Sequence, residues 1–347
     1  MAKIKIFDAT LRDGSHAIKH QLSVNQIEHY CTAIDEAGVD AVIVGHGNGL
    51  GASSLQVGLS LLSDHDMLAT ARKYLRQTKL GAYMIPGFGT IRDQLMPAIE
   101  DGVDLFKIGC HCTEADTTKS HIEFLAKQGK EVYGVLMMYH MASPEKLLEE
   151  SLKMESYGAK GVILMDSAGA SNFDMVKKTI SKLYNGLNIK VGFHSHNNLG
   201  IAVATMYIAV TEGASIIDGT VAGFGAGAGN CQLEAVIALL QQSGIYTDVN
   251  LYKIFDINEQ IMPEIMGHPA TLDPVSIVSG QAGVFSAFKI HVMRAAERFG
   301  VDARDIFYEV GRRKAVGGQE DIIIEVAQKL KERTAKQKQD YQMESLL

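Results

Sequence analysis

Short apolar runs rich in Val, Ile, Leu and Met recur along the first two-thirds of the chain. They fall at residues 4–7, 41–44, 80–85, 105–108, 132–138, 162–165, 189–193 and 215–217. Each is apolar throughout instead of alternating, as expected of strands covered on both faces. Between them the apolar positions switch to helical spacing. Residues 24–37 bring Ile27, Tyr30, Cys31 and Ile34 to one face. Ser143-Pro144-Glu145 reads as a helix start, with Ser as N-cap and Pro in the first turn. That helix is expected to end near Tyr157-Gly158, and the helix after Ile91 near Asp101-Gly102, where glycine suits a C-cap.

Eight strand–helix units in succession predict an α/β fold, a (β/α)8 TIM barrel. A doubly wound sheet is the competing architecture, but no dinucleotide fingerprint follows the first run. The glycine-rich loops 45–63 and 86–90 have the character of substrate loops. The rhythm changes after residue 262. Met262-Pro263, His268-Pro269 and Asp273-Pro274 hold three of the six prolines, and no β-run follows. Residues 277–299, 302–312 and 319–331 are predicted helices, and 329–344 a charge-rich solvated helix or frayed end. The expected division is a catalytic barrel over 1–265 and a helical C-terminal domain over 270–347.

Active sites of such barrels lie at the C-terminal ends of the strands. The first run empties into Asp8-Ala9-Thr10-Leu11-Arg12-Asp13-Gly14-Ser15-His16, which puts a cation, an anion and a titratable base in one loop. The seventh ends in His194-Ser195-His196-Asn197-Asn198. Side chains at i and i+2 of a strand share a face, so His194 and His196 can point at one centre. Asp13, His194 and His196 are read as three ligands of a divalent metal. Two imidazoles and a carboxylate suit Mn²⁺, Co²⁺, Fe²⁺ or Zn²⁺. Arg12 offers a permanent planar cation and His16 a base near neutrality. Ser167, in Asp166-Ser167-Ala168-Gly169, is a donor for a substrate carboxylate or a helix cap. Lys107, in the fourth run, would serve a metal-free Schiff-base aldolase as the alternative. Cys110-His111-Cys112 has the wrong spacing for a zinc knuckle and is read as packing. The loop 223–230 departs from GxGxxG and is expected to turn backbone N–H groups toward the rim, with Asn230 near the site.

Composition narrows the class. The 347 residues are 46% hydrophobic and 21% charged, enough for a sizeable core. A net charge of −7 without a basic stripe argues against a nucleic-acid partner. Four scattered cysteines without a CxxC pair fit a reducing cytoplasm. No apolar run reaches the roughly 18 residues of a membrane span. The opening Met-Ala-Lys-Ile-Lys-Ile leaves no room for a signal peptide.

These motifs resemble the 4-hydroxy-2-oxovalerate aldolases, class II pyruvate aldolases within the wider group of HMG-CoA lyase-like barrels. Beyond the two metal-ligand segments, the likeness rests on His46-Gly47-Asn48-Gly49-Leu50, His111-Cys112-Thr113-Glu114-Ala115-Asp116, Leu136-Met137-Met138 and Met154-Glu155-Ser156-Tyr157-Gly158-Ala159. Asp166-Ser167-Ala168-Gly169, Gly227-Ala228-Gly229-Asn230, Gly311-Arg312-Arg313-Lys314 and Val316-Gly317-Gly318-Gln319-Glu320-Asp321 extend it over nearly the whole chain. The resemblance implies reversible cleavage of 4-hydroxy-2-oxo acids to pyruvate and a short aldehyde, in aromatic hydrocarbon catabolism. It implies Mn²⁺, with Mg²⁺ or Co²⁺ as substitutes, on Asp13, His194 and His196. Arg12 would stabilise the enolate and His16 act as base, with Asp13, Ser167, His194 and Phe285 also around the substrate. An acylating aldehyde dehydrogenase partner, met through the C-terminal helices, is implied too, in a hetero-oligomer or beside a homodimer. One departure stands out. The family usually has Tyr in the segment that reads Ala282-Gly283-Val284-Phe285-Ser286 here, so Phe285 keeps the ring without the hydroxyl. His46-Gly47-Asn48 and Cys231-Gln232 also differ from the family's usual residues. The rivals are a CoA-dependent Claisen lyase or transferase on the same barrel, HMG-CoA lyase-like or isopropylmalate synthase-like, and an idle scaffold subunit.

Overall fold

The computed structural model describes residues 3–344, with side chains through 337; Met1 and Ala2, where the expectation about a leader begins, lie outside it. The strands are β1 (Lys5–Asp8), β2 (Ala41–Ile43), β3 (Lys79–Met84), β4 (Leu105–His111), β5 (Glu131–Met137), β6 (Gly161–Asp166), β7 (Lys190–Ser195) and β8 (Ile216–Gly219). They pair in parallel in sequence order, and β8 returns to β1 with Lys5 opposite Ile216 and Asp8 opposite Gly219. All eight apolar runs are strands, and closure of the ring rules out the doubly wound sheet.

Parity along each strand decides what faces where. Phe7, Ala41, Ile43, Tyr83, Leu105, Tyr133, Val135, Ile163, Met165 and Ile216 fill the barrel interior. Their neighbours Ile6, Val42, Ala82, Phe106, Val132, Val162 and Phe193 face the helix layer. Both sides are buried, hence the unbroken apolar runs. Asp8 has the outward parity. Its carboxylate accepts hydrogen bonds from Tyr30 Oη (2.6 Å) and from Thr10 N (2.8 Å). Asp8 therefore pins the start of the catalytic loop to the helix layer and forms no ion pair with Arg12.

The covering helices are α1 (Val24–Ala37), α2 (Asp64–Tyr74), α3 (Met96–Glu100), α4 (Lys119–Lys127), α5 (Pro144–Ser156), α6 (Phe173–Gly186), α7 (Ala202–Thr211) and α8 (Leu233–Gln242), followed by α9 (Leu251–Gln260) and α10 (Met262–Met266). Ser23 caps α1 reciprocally with Gln26, and Ser143 accepts from Lys146 N at the start of α5.

The C-terminal region comprises α11 (Pro274–Gln281), α12 (Lys289–Phe299), α13 (Ala303–Arg312) and α14 (Asp321–Glu344). Val284, Phe288, Val292, Ile306, Phe307, Val310, Ile323 and Val326 make its own small core. The expected single helix over 277–299 is two. The chain breaks after Gln281, where Gly283 takes φ +65° and 286–288 form a 3₁₀ turn. This break turns Phe285 and Ser286 toward the barrel. Ser286 N donates to Ser167 O (2.9 Å) and Ser286 Oγ donates to Asn198 Oδ1 (2.9 Å). Residues 319–344, expected as a helix and a separate tail, contain one continuous helix from Asp321.

Candidate active site

After β1 the chain tightens immediately. Arg12 N and Asp13 N both donate to Ala9 O, at 3.0 and 2.8 Å, and residues Asp13–His16 form a 3₁₀ turn. That turn swings Asp13 over the barrel mouth. On β7, Gly192, His194 and His196 have the interior parity, since Phe193 points outward. One ligand atom each from Asp13, His194 and His196 lies within 4.8 Å of the others, and all three residues are buried. Bonds of about 2.0–2.2 Å hold donors of one ion at most roughly 4.4 Å apart. The triad therefore needs to close by only a few tenths of an ångström around an ion. It is the only such group among the described residues.

The donor atoms fit a cation. His194 Nε2 and His196 Nδ1 are buried with no hydrogen-bond partner among the described residues. Unpartnered buried donors or acceptors are costly, and a metal would satisfy His194 Nε2; on His196 it is Nε2, 3.9 Å from Asp13 Oδ1, that faces the carboxylate. Asp13 is held from two sides: its Oδ1 accepts from Arg12 Nη1 (2.8 Å) and its Oδ2 from Asn230 Nδ2 (2.7 Å). Burial works against its charge, but the Arg12 guanidinium and the nearby His196, His16 and His194 hold its carboxyl well below the usual range. Burial pushes His196 down to about 4, with the Asp13 carboxylate opposing, so its ring is neutral as a ligand must be.

Arg12 is placed for a substrate. Nη1 also donates to Gly47 O (3.2 Å), and the guanidinium lies 4.8 Å from the centre of the Tyr83 ring. Its Nε and Nη2, both buried, have no partner. His16 is 9% exposed and is the one member of this group that reaches the cavities at the barrel mouth. Burial lowers its pKa to about 4, partly countered by Asp13. At neutral pH its ring is a free base.

Gly47 sets the position of that ring, because a Cβ there would stand 2.4 Å from His16 Nε2. Its φ lies outside the left-handed region, so the backbone accepts alanine. Gly47→Ala is expected to fold normally and to lose about 10²-fold in kcat, since an ångström of displacement at a reacting group costs that much. Thermal unfolding and steady-state kinetics on the same sample check it.

Other predicted residues take the following places. Ser167 Oγ accepts from Met138 N (3.2 Å) at the end of β5, so it buttresses the rim. Phe285 lines a cavity of about 410 Å³ beside Met137, Asn48 and Gly317, and shares a second, of about 470 Å³, with His16. Asn230 is brought to the site as expected, by pairing of His196 with Asn230 across the glycine-rich loop. That loop does present Ala226 N toward Asp13 Oδ2, at 3.5 Å. Cys110 and Cys112 are buried packing residues. Lys107 is fully buried and its Nζ is engaged by the Asp218 carboxylate. Burial lowers its pKa and Asp218 opposes that shift. A lysine so held is not free as a Schiff-base nucleophile.

Asp218, Tyr83 and the pair His20 and His46 were not anticipated. His20 and His46 stack at 3.6 Å between ring centres, with His20 edge-on to His16 at 5.0 Å. His46 Nδ1 accepts from Asn48 N (3.0 Å), and the Nε2 atoms of His46 and His20 face Gly58 O and Val57 O at 3.1 and 3.2 Å. The pair thus ties loop 45–63 to the catalytic turn. A carboxylate directly after the eighth apolar run was the available signal for Asp218, and nothing in the sequence pairs His20 with His46.

Residues 3–261 match the HMGL-like family and residues 270–332 the DmpG-like communication domain. A 4-hydroxy-2-oxovalerate aldolase of Pectobacterium atrosepticum is 53% identical over 331 residues, covering 95% of this chain and 96% of its own length. One from Spirochaeta aurantia is 49% identical, covering 95% and 97%. Among solved structures, the carboxyl transferase domain of Rhizobium etli pyruvate carboxylase superposes with a TM-score of 0.81 at 14% identity. It covers 95% of this chain and 60% of that one, a likeness of fold alone.

Proposed function

Since this chain belongs to the 4-hydroxy-2-oxovalerate aldolase family of carbon–carbon lyases, we propose that it cleaves 4-hydroxy-2-oxo acids to pyruvate and a short aldehyde at the Asp13, His194 and His196 centre. The observation that carries the assignment of the centre is a partnerless His194 Nε2 in one buried cluster with His196, whose Nε2 faces a doubly held carboxylate. Asp13, His194 and His196 would hold a divalent ion, most simply Mn²⁺. When bound, such an ion supplies Lewis-acid charge for the oxygens of a 2-oxo acid.

The chemistry left to the protein is proton movement and charge. Breaking C3–C4 turns the pyruvate half into an enolate, so negative charge grows on the 2-oxo oxygen. Arg12 Nε and Nη2 are the free donors at that position, already fixed by Asp13, Gly47 and Tyr83, so little reorganisation accompanies the charge. His16, neutral at pH 7, takes the proton of the 4-hydroxyl, and return of one proton to C3 of the enolate completes pyruvate. Met138 and Phe285 close the aldehyde side with apolar surface. Phe285, lacking the family's usual hydroxyl, orients that end by shape alone.

The same reading divides the chain at 265–270. It gives the C-terminal helices the contact with an acylating aldehyde dehydrogenase, supported by their match to the communication domain. Four buried free thiols suit a reducing cytoplasm, and no helix of the described residues is long and apolar enough to cross a membrane.

Purified protein, stripped with chelator and reloaded with Mn²⁺, is assayed for pyruvate release on 4-hydroxy-2-oxo acids of graded chain length. Activity is expected to vanish on stripping and return on reloading, and to be absent with Asp13→Ala under both conditions. Turnover of acetyl-CoA with a 2-oxo acid instead would favour the Claisen rival.

A further inference from the structure

His194 and Asp218 are register partners on β7 and β8, and both have the interior parity. His194 Nδ1 lies 3.1 Å from Asp218 Oδ2. The same oxygen is engaged by Lys107 Nζ, which reaches it from β4 on the opposite side of the barrel. All three side chains are fully buried. An imidazole that ligates a metal keeps one nitrogen as a lone pair and carries its proton on the other. A carboxylate only accepts, so the proton facing Asp218 belongs on Nδ1. The partnerless Nε2 then keeps the lone pair, available to an ion shared with Asp13 and His196.

We propose that Asp218 is the positioning residue of the metal centre: it fixes His194 as the Nδ1–H tautomer aimed at the ion, with Lys107 as its buried counter-ion. The proposal rests on the metal reading of Asp13, His194 and His196. Outer partners of metal-bound histidines work in this way, fixing the ring and raising its basicity. Here the support is carried across the lumen, so one side of the barrel holds the ligand orientation on the other. Lys107 is thereby a structural member of the site, and its place inside the otherwise apolar run 105–108 is explained.

Two double variants isolate the acceptor from the charge. Lys107→Met/Asp218→Asn keeps an oxygen for Nδ1–H, whereas Lys107→Met/Asp218→Leu removes it. Neither leaves a buried ion unpaired. Mn²⁺ alone is titrated into each, and the free ion is read by electron paramagnetic resonance. The Asn variant is expected to bind close to wild type, and the Leu variant roughly 10–100-fold more weakly. Equal affinities for the two overturn the proposal. Independently of any variant, nitrogen-15 spectra of the metal-free wild type report the tautomer of His194. Nδ1–H is expected, and Nε2–H refutes it. Asp13→Ala in the same titration separates the two readings: wild-type affinity in that variant defeats the metal centre itself, whatever Asp218 does.

Discussion

Arg12→Ala is expected to leave the fold and the Mn²⁺ affinity in place and to lower kcat by roughly 10²–10³, the usual cost of one preorganised donor at a developing oxyanion. The guanidinium has two tasks in the structure, and only one is chemical. Nη1 is spent on Asp13 and on Gly47 O, which fixes the plane over Tyr83. Nε and Nη2 are left over, buried and without partners. Asp13 retains Asn230 when Arg12 is removed, so its carboxylate stays positioned for an ion. Lys at position 12 is not expected to rescue the rate, because an ammonium cannot hold Asp13 and Gly47 and still present two coplanar donors. Steady-state pyruvate release at saturating Mn²⁺, with ion binding measured in parallel, decides the matter. A near-wild-type rate with the ion bound would remove Arg12 from the chemistry.

The parts of this site that sequence makes legible are those set by short-range geometry. His194 and His196 share a face because they are two apart on a strand. Asp13 follows a strand end by a fixed few residues. The eight runs were readable because burial on both faces strips them of polar positions. Capping at Ser143 and Pro144 was readable because its chemistry is confined to one turn. What escaped depends on closure of the ring. Lys107 and Asp218 are 111 residues apart and meet only because β4 and β8 face each other across the lumen. Gly47 matters through the ring of His16, a contact between two loops. The break at Gly283 escaped because the apolar spacing continues through it. It is forced by anchoring of Ser286 to Ser167 and Asn198, a tertiary demand that overrides local helical preference.

The largest expected loss of stability falls on Lys107→Met. The side chain is 0% exposed and its partner Asp218 equally so. Removing one member of a buried pair strands the other, at a cost of about 3–5 kcal/mol. Urea unfolding of metal-free protein at pH 7 should register that loss. The sign of its pH dependence follows from Asp218. Burial opposes its charge, but Lys107 first and His194 next hold its carboxyl below the ordinary value. In the wild type, that stabilisation is fully present above the unfolded carboxyl pKa near 3.9 and is lost as pH falls through the depressed folded value. Without Lys107, burial raises the Asp218 carboxyl instead, and ionising it at neutral pH penalises the folded state. The gap between variant and wild type is therefore expected to narrow as pH is lowered and widen toward neutrality. Adding Asp218→Asn to Lys107→Met should recover most of the loss, because two uncharged groups then fill the space of the ion pair. A single variant as stable as wild type across that range would show that the pair carries no stranded-charge cost.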